Sequence, residues 1–259
     1  MKTIAIVNLK GGVGKTVTSI NLGVMMAEDK KRTLIIDNDS QGNIATFFDV
    51  EKNSRNENVA TTADLLRNGD QPTIRAAIQK TKYENLFVIA GGEDMEGINI
   101  ELANQPPMIR YTKFRNALQY IKNDFDIIII DNNPNMTTNV INSFLVADDI
   151  IVPMEVDIFS VKGLTRINKQ INQAKKVNKN IKMAGVLLTR VNAICKRKNK
   201  EVLEELQSKK YPVFETMIHS SERVKDSIND GIPLVNYKNA KNIRPARDYR
   251  NLYQEYIGK

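Results

Sequence analysis

At 259 residues, 41% of them hydrophobic, the chain is long enough to bury a full core, yet no run in it approaches the ~20 apolar residues of a membrane span. Its one cysteine, Cys195, excludes a disulfide framework and a cysteine-held metal cluster and fits a reducing cytoplasm. The net charge of +8 points toward a polyanionic partner. Apolar runs predict strands near residues 3–8, 33–37, 86–90, 126–131, 149–153 and 183–189, with helical patterns between them. Short Ile- and Val-rich strands alternating with amphipathic helices predict an α/β fold: a doubly wound, mostly parallel sheet with helices on both faces. The stretch that reads as polar loop, Glu51 to Asn58, is too short to divide domains, so residues 1–259 are expected to form one. Met1-Lys2 and the five mostly apolar residues after them are too short for a secretory signal.

The first strand, Thr3-Ile4-Ala5-Ile6-Val7, runs into Lys10-Gly11-Gly12-Val13-Gly14-Lys15-Thr16-Val17. A strand emptying into a glycine-rich loop that starts a helix turns free backbone N–H groups and the positive end of the helix dipole toward a phosphate chain. The helical pattern Ile20, Leu22, Val24, Met25 supplies the helix that such a loop requires, which an incidental Gly-rich turn would not. In this P-loop reading Lys15 lies between the β- and γ-phosphates and Thr16 offers its hydroxyl to Mg²⁺. Leu9 stands where the usual motif begins with glycine, and Lys10 is one lysine more than the loop needs.

The second strand, Thr33-Leu34-Ile35-Ile36, closes in Asp37-Asn38-Asp39-Ser40-Gln41-Gly42-Asn43, and the fourth, Ile127-Ile128-Ile129-Ile130, closes in Asp131-Asn132-Asn133-Pro134. Ligands in such sheets bind beyond the carboxyl ends of the strands, so the loop at Lys10, the pair Asp37 and Asp39, and Asp131 converge. Phosphoryl transfer needs a metal at the β- and γ-oxygens and a water in line with the γ-phosphorus. Asp131 is placed to hold the Mg²⁺ hydration shell, although aspartate after a strand also serves as a helix cap. Asp37 and Asp39, two apart, share a side if the chain stays extended, and either also suits the cap of the turn that follows.

These motifs resemble the ParA/Soj branch of the deviant-Walker ATPases, relatives of MinD. Pro153 with Asp157 and Gly163, then Val186-Leu187-Leu188-Thr189, and Arg223 eight residues ahead of Gly231 fall at the family's spacings, so the resemblance runs nearly end to end. Val17, Ser40, Asn133 and His219 depart from it, standing where the family commonly has threonine, proline, proline and proline. The resemblance implies an ATP/ADP- and Mg²⁺-binding ATPase in which Asp39 orients the attacking water and Asp37 assists at the metal. Lys10 is then a catalytic lysine with Lys15, reaching across an ATP-dependent homodimer to the partner's phosphates as an arginine finger does. It further implies non-specific double-stranded DNA and a ParB-like centromere-binding adaptor as partners, a cytoplasmic, nucleoid-associated protein, no membrane, and no N-terminal helix-turn-helix extension.

Charge supports the DNA expectation. Residues 1–159 carry 16 Lys and Arg against 21 Asp and Glu, whereas residues 160–259 carry 22 against 9. Arg223, where the family places a DNA-contacting arginine, and Lys241, Arg244, Arg247 and Arg250 are the candidate DNA-binding residues, with Lys225 near them. Cys195 and His219 have no catalytic neighbour in sequence, and Tyr249, Tyr253 and Tyr256 read as the packing stripe of a last helix. Two other classes compete: a MinD-like membrane-associated positioning ATPase, which needs a basic amphipathic C-terminal helix, and a small P-loop biosynthetic ligase such as dethiobiotin synthetase, which needs no basic surface.

Overall fold

In the computed structural model, which describes residues 1–50 and 59–258, strand β1 (Lys2–Ile6) leads into α1 (Lys15–Glu28), then β2 (Thr33–Asn38) and the short α2 (Asn43–Phe47). The polar stretch 51–58 lies outside the described residues. Next come α3 (Thr62–Asn68), α4 (Gln71–Ala77), β3 (Gln79–Lys80), β4 (Leu86–Ile89), α5 (Asp94–Ala103), α6 (Pro107–Arg110) and α7 (Lys113–Leu118). The chain continues through β5 (Ile127–Asn132), α8 (Thr138–Val146), β6 (Asp149–Glu155), α9 (Ile158–Ala174), β7 (Lys182–Thr189), α10 (Lys196–Ser208), α11 (Arg223–Asn229) and α12 (Arg244–Ile257).

The seven strands form one sheet in the order β3-β4-β2-β5-β1-β6-β7, parallel except where β3 meets β4. All six expected strands are present. The edge strand β3 has only Gln79 and Lys80 and no apolar run to announce it. Strand β1 ends at Ile6 rather than near residue 8, because Asn8 turns out of the ladder: its amide donates to the Pro153 carbonyl at 2.6 Å and its side-chain oxygen accepts the Lys10 N–H at 3.0 Å.

Side chains along each central strand alternate between two apolar layers, as the pleat requires. Ala5, Leu34, Ile36, Ile128, Ile130, Ile150 and Val152 pack under one layer with Met95, Phe114, Val140, Leu164 and Val202. Ile4, Ile6, Ile35, Ile129, Ile151 and Leu187 pack under the other with Ile20, Leu22, Met25, Tyr249 and Leu252. The sheet is therefore buried on both faces, and its chemistry is confined to the strand ends. Strand register does the positioning. Between β2 and β5, Asp37 stands beside Asp131 and Asn38 beside Asn132, so the two carboxylates share one face and the two amides the other.

Candidate functional site

A cleft of about 1010 Å³ opens over the carboxyl ends of the strands. Gly11, Gly12, Gly14, Lys15, Thr16 and Val17 form its floor, and Asp39 and Asn133 stand on one wall. Gly14 caps α1 at φ 87°, a left-handed conformation that glycine adopts without strain, and Gly12 has φ 73°. The loop is braced from outside as well: the Thr189 hydroxyl at the end of β7 donates to the Val13 carbonyl at 2.8 Å. Val13 itself is buried and supports the loop from beneath.

The two lysines of the loop separate. Lys15 is 7% exposed, and its Nζ turns back to the Lys10 carbonyl at 3.3 Å. Burial lowers its pKa, an effect opposed by the nearby charges of Asp131 and Asp39. Lys10 points outward with its side chain 47% exposed, and its Nζ meets Glu155 at 2.6 Å and Asp157 at 3.8 Å. Glu155 is shared with Arg190 at 3.0 Å. The hydrogen bond to Glu155 raises the Lys10 pKa, so the ammonium is held charged at the rim.

Beneath the loop, Asp131 accepts the Thr16 hydroxyl at 2.7 Å and the Ser19 hydroxyl at 2.9 Å. Burial pushes its carboxyl up to about 6 against those two hydrogen bonds. Asp131 caps no helix. The next one, α8, begins seven residues later with Thr137 as its cap. Asp37 is fully buried and accepts the Ile44 N–H at 2.9 Å, which satisfies a first-turn donor of α2. Burial, and then the neighbouring Asp131 charge, raise its pKa well above the ordinary value. Asp39 lies beyond the last strand residue, half-buried in the cleft wall, and accepts the Gln41 N–H at 3.1 Å. Asp37 and Asp39 therefore occupy different environments. One is sealed beside Asp131 and the other faces the cleft.

The basic candidates lie on the C-terminal segment. Arg223 opens α11 and pairs loosely with Asp226 at 3.3 Å. A second depression of about 610 Å³ brings Arg223 and Arg244 together, with Lys238 added. Ser220 and Ser221 wall both this groove and the main cleft. Lys241 and Arg247 are exposed outside the groove's lining, and the Arg250 guanidinium is bonded to the Val235 carbonyl at 2.5 Å.

Residues 1–183 match a family model described as an AAA domain. The sporulation initiation inhibitor protein Soj of Bacillus subtilis is 34% identical over 98% of this chain and 97% of its own. The chromosome partitioning protein ParA of Caulobacter vibrioides is 32% identical over 92% of this chain and 87% of its own. The chain belongs to the ParA/Soj family. Among solved structures, a Mycobacterium smegmatis cobyrinic acid a,c-diamide synthase with bound ADP and magnesium superposes with a TM-score of 0.79 at 22% identity, covering 98% of this chain and 93% of its own. The fold is thus shared with a protein named as a diamide synthase, and it is the sequence relationship that selects the ParA/Soj branch.

This ParA/Soj chain holds site residues that the sequence does not announce. Ser19 is the second hydroxyl on Asp131, one helical turn past Lys15. Gly91 packs so closely beneath the second motif that a Cβ there would lie 2.6 Å from the Asp39 carbonyl oxygen; the only sequence signal is a glycine pair just after a strand. His219 is not isolated. Its Nδ1 meets Asp248 at 2.9 Å, a partner 29 residues away that only the fold brings near.

Proposed function

We propose that this chain is an ATP-dependent DNA partition ATPase, in which ATP assembles a sandwich dimer that binds DNA without sequence preference and hydrolysis releases it. The observation that carries this reading is the separation of Lys10 from Lys15. Lys15 serves its own loop from a buried position, while Lys10 stands at the rim as a charged group free of its own phosphate cradle. A rim ammonium is suited to the phosphates of a facing subunit, and only a triphosphate offers enough negative charge for both subunits' lysines. Leaving Glu155 for the facing phosphates exchanges one anion for another and leaves no buried charge unpaired.

The remaining residues fit an ATP or ADP ligand with Mg²⁺. Thr16 and Asp131 present two hard oxygen donors 2.7 Å apart, and Mg²⁺ characteristically takes one or two carboxylates and completes its shell with water and substrate phosphates. A bound Mg²⁺ would supply positive charge at the β- and γ-oxygens. Thr16, Asp131 and, behind them, Asp37 would hold it, and Asp39 would orient the attacking water from the cleft wall. Backbone N–H groups of Gly11 to Thr16, including that of Val13, would cradle the phosphates, with Val17 beside them.

DNA binding is supported by the groove that joins Arg223 to Arg244, with Lys241 and Arg247 exposed nearby. Because Ser220 and Ser221 wall both cavities, nucleotide occupancy and groove geometry are mechanically adjacent. A ParB-like centromere-binding adaptor would stimulate hydrolysis and release the dimer from the nucleoid. The membrane alternative is disfavoured by α12, whose apolar stripe of Ala246, Tyr249, Leu252, Tyr253 and Tyr256 is buried in the core. Among the described residues no helix is long and apolar enough to cross a membrane.

Co-sedimentation with unrelated double-stranded DNAs and with anionic liposomes, each with and without ATP, tests the reading. DNA should pellet the protein only with ATP, whatever its sequence. ATP-dependent pelleting with liposomes, or none with DNA, would overturn it.

A further inference from the structure

The main cleft has two ends, and strand order tells them apart. Strands β2 and β5, which carry Asp37 and Asp131 with Asp39 just beyond the end of β2, lie on one side of β1, and β6 and β7 lie on the other. If the γ-phosphate lies with the water-orienting Asp39, the α-phosphate, ribose and base of a nucleotide must run toward β7. That end is walled by residues 218–222, Val224 and Lys225, and Val17, Ile218 and Val224 offer apolar side chains suited to a flat ring.

His219 stands in this wall and is rigidly mounted. Its segment extends the end of β7, with the Ile218 N–H donating to Leu188 at 2.8 Å and the Ser220 N–H donating to Val191 at 3.0 Å. One carboxylate oxygen of Asp248 accepts both the His219 backbone N–H and the ring Nδ1, each at 2.9 Å. A carboxylate only accepts, so Nδ1 carries a proton, and the tautomer this selects leaves Nε2 with a lone pair. Among the described residues Nε2 has no hydrogen-bond partner, and the side chain remains 17% exposed toward the cleft it lines.

The geometry points to His219, in the tautomer fixed by Asp248, as the residue by which this chain selects a nucleobase bearing an exocyclic amine. Adenine presents an N6 amine, a donor that an acceptor Nε2 can receive. Guanine presents a carbonyl oxygen at the same ring position, which would leave two acceptors facing each other. A site built to hydrogen-bond one group rejects the analogue that lacks it, because its own buried atom is left unpaired. This rests on the nucleotide reading above and deepens it.

The test compares dissociation constants of ATP, GTP and purine riboside triphosphate, which has hydrogen in place of the amine, by calorimetry on the full chain. The unsubstituted protein should prefer ATP over purine riboside triphosphate by about tenfold, the size of one hydrogen bond, and over GTP by at least as much. His219→Phe keeps a ring and the backbone N–H to Asp248 but loses the acceptor. It should bind ATP about tenfold more weakly and purine riboside triphosphate unchanged. Asp248→Ala, which releases the tautomer, should shrink the ATP preference by a smaller factor, and an unchanged ratio would overturn the tautomer assignment. Equal binding of ATP and purine riboside triphosphate by the unsubstituted chain, or a preference for GTP, would overturn the role of His219 alone. Failure of all three to bind would overturn the nucleotide reading as well.

Discussion

The strand-end face and the C-terminal basic surface are built on opposite principles. At the strand ends each side chain is fixed by the sheet: Asp131 by two hydroxyls, Asp37 by a helix N–H, and Lys15 by burial beneath the loop. On the C-terminal surface Arg223 is 63% exposed, and among the described residues its guanidinium is held only by Asp226 three residues on, a pairing worth a few tenths of a kcal/mol. The first region can do chemistry because its groups are preorganised and stay where the backbone puts them. The second suits a partner of variable shape, since long mobile cations can follow phosphates without a fixed geometry. Single substitutions should therefore act all-or-none at the strand ends and by increments on the surface.

The sharpest break in that comparison is expected at Asp39. Asp39→Ala leaves the loop, Thr16 and Asp131 untouched, so ATP should bind and the dimer should form while turnover falls by about a hundredfold or more. Single-turnover phosphate release alongside light scattering would check this. Turnover at the unsubstituted rate would make Asp39 a structural turn residue. The next largest effect separates the two lysines. Lys15→Ala should weaken ATP binding by about a hundredfold, the scale of a charge-assisted contact removed from a partly buried site. Lys10→Ala should abolish the ATP-dependent dimer, and normal ATP-driven dimerisation in that variant would remove its role across the interface.

How much of each region was legible follows from how local its determinants are. The loop, the two carboxylate-ending strands and the doubly wound sheet could be read because each is written in a contiguous run: Ile127 to Asp131 is apolar, and then charged, at the point where the strand ends. The aromatic stripe Tyr249, Tyr253 and Tyr256 was legible as packing for the same reason. Its hydroxyl partners were not: Thr18, Asp29 and Asp149 come from α1, the turn after it and the start of β6. Lys10 with Glu155 and His219 with Asp248 are pairs 145 and 29 residues apart, made by topology alone. Arg250 reads in the sequence as a DNA-binding candidate, and its bond to the Val235 carbonyl is made by the fold alone.

A buried carboxylate carries a stability cost that a surface charge does not, and Asp131 makes this measurable. Its folded carboxyl titrates at about 6 against an ordinary 3.8, so between those values the folded state keeps a proton that the unfolded state has lost. Stability from this group is therefore greatest at low pH, falls as pH rises from about 4 to about 6, and stays lower above that. Asp131→Asn cannot ionise. Without nucleotide and magnesium it should be more stable than the unsubstituted protein at pH 7.5 by about 2–3 kcal/mol, with the gain vanishing below about pH 4. The same variant should lose magnesium-dependent stabilisation by ATP. Urea denaturation at several pH values reads both effects. A variant less stable at pH 7.5 would mean that the Thr16 and Ser19 hydrogen bonds outweigh the desolvation of the charge.

The smallest effect is expected on the basic surface, where two arginines of similar sequence context should part company. Arg223 shares a groove with Arg244 and is largely exposed, so in the proposed ATP-bound dimer it would be free to meet a DNA phosphate. Neutralising one phosphate releases condensed counterions. Arg223→Ala should thus reduce the slope of log affinity against log salt by about 0.9 and weaken unrelated DNA sequences equally. If both subunits of the dimer engage the duplex, the loss counts twice and the slope should change by about 1.8. Arg250 is a different kind of residue. Its guanidinium already donates to the Val235 carbonyl, tying α12 to the short turn at 234–236, so Arg250→Ala should cost about 1 kcal/mol of stability and leave the salt slope as it was. Fluorescence anisotropy across a salt series and a urea melt on each variant separate the two roles. An unchanged slope in Arg223→Ala would move the DNA surface to Lys241 and Arg247. A reduced slope in Arg250→Ala would mean that its hydrogen bond to Val235 yields to phosphate, and that even the anchored part of this surface is adaptable.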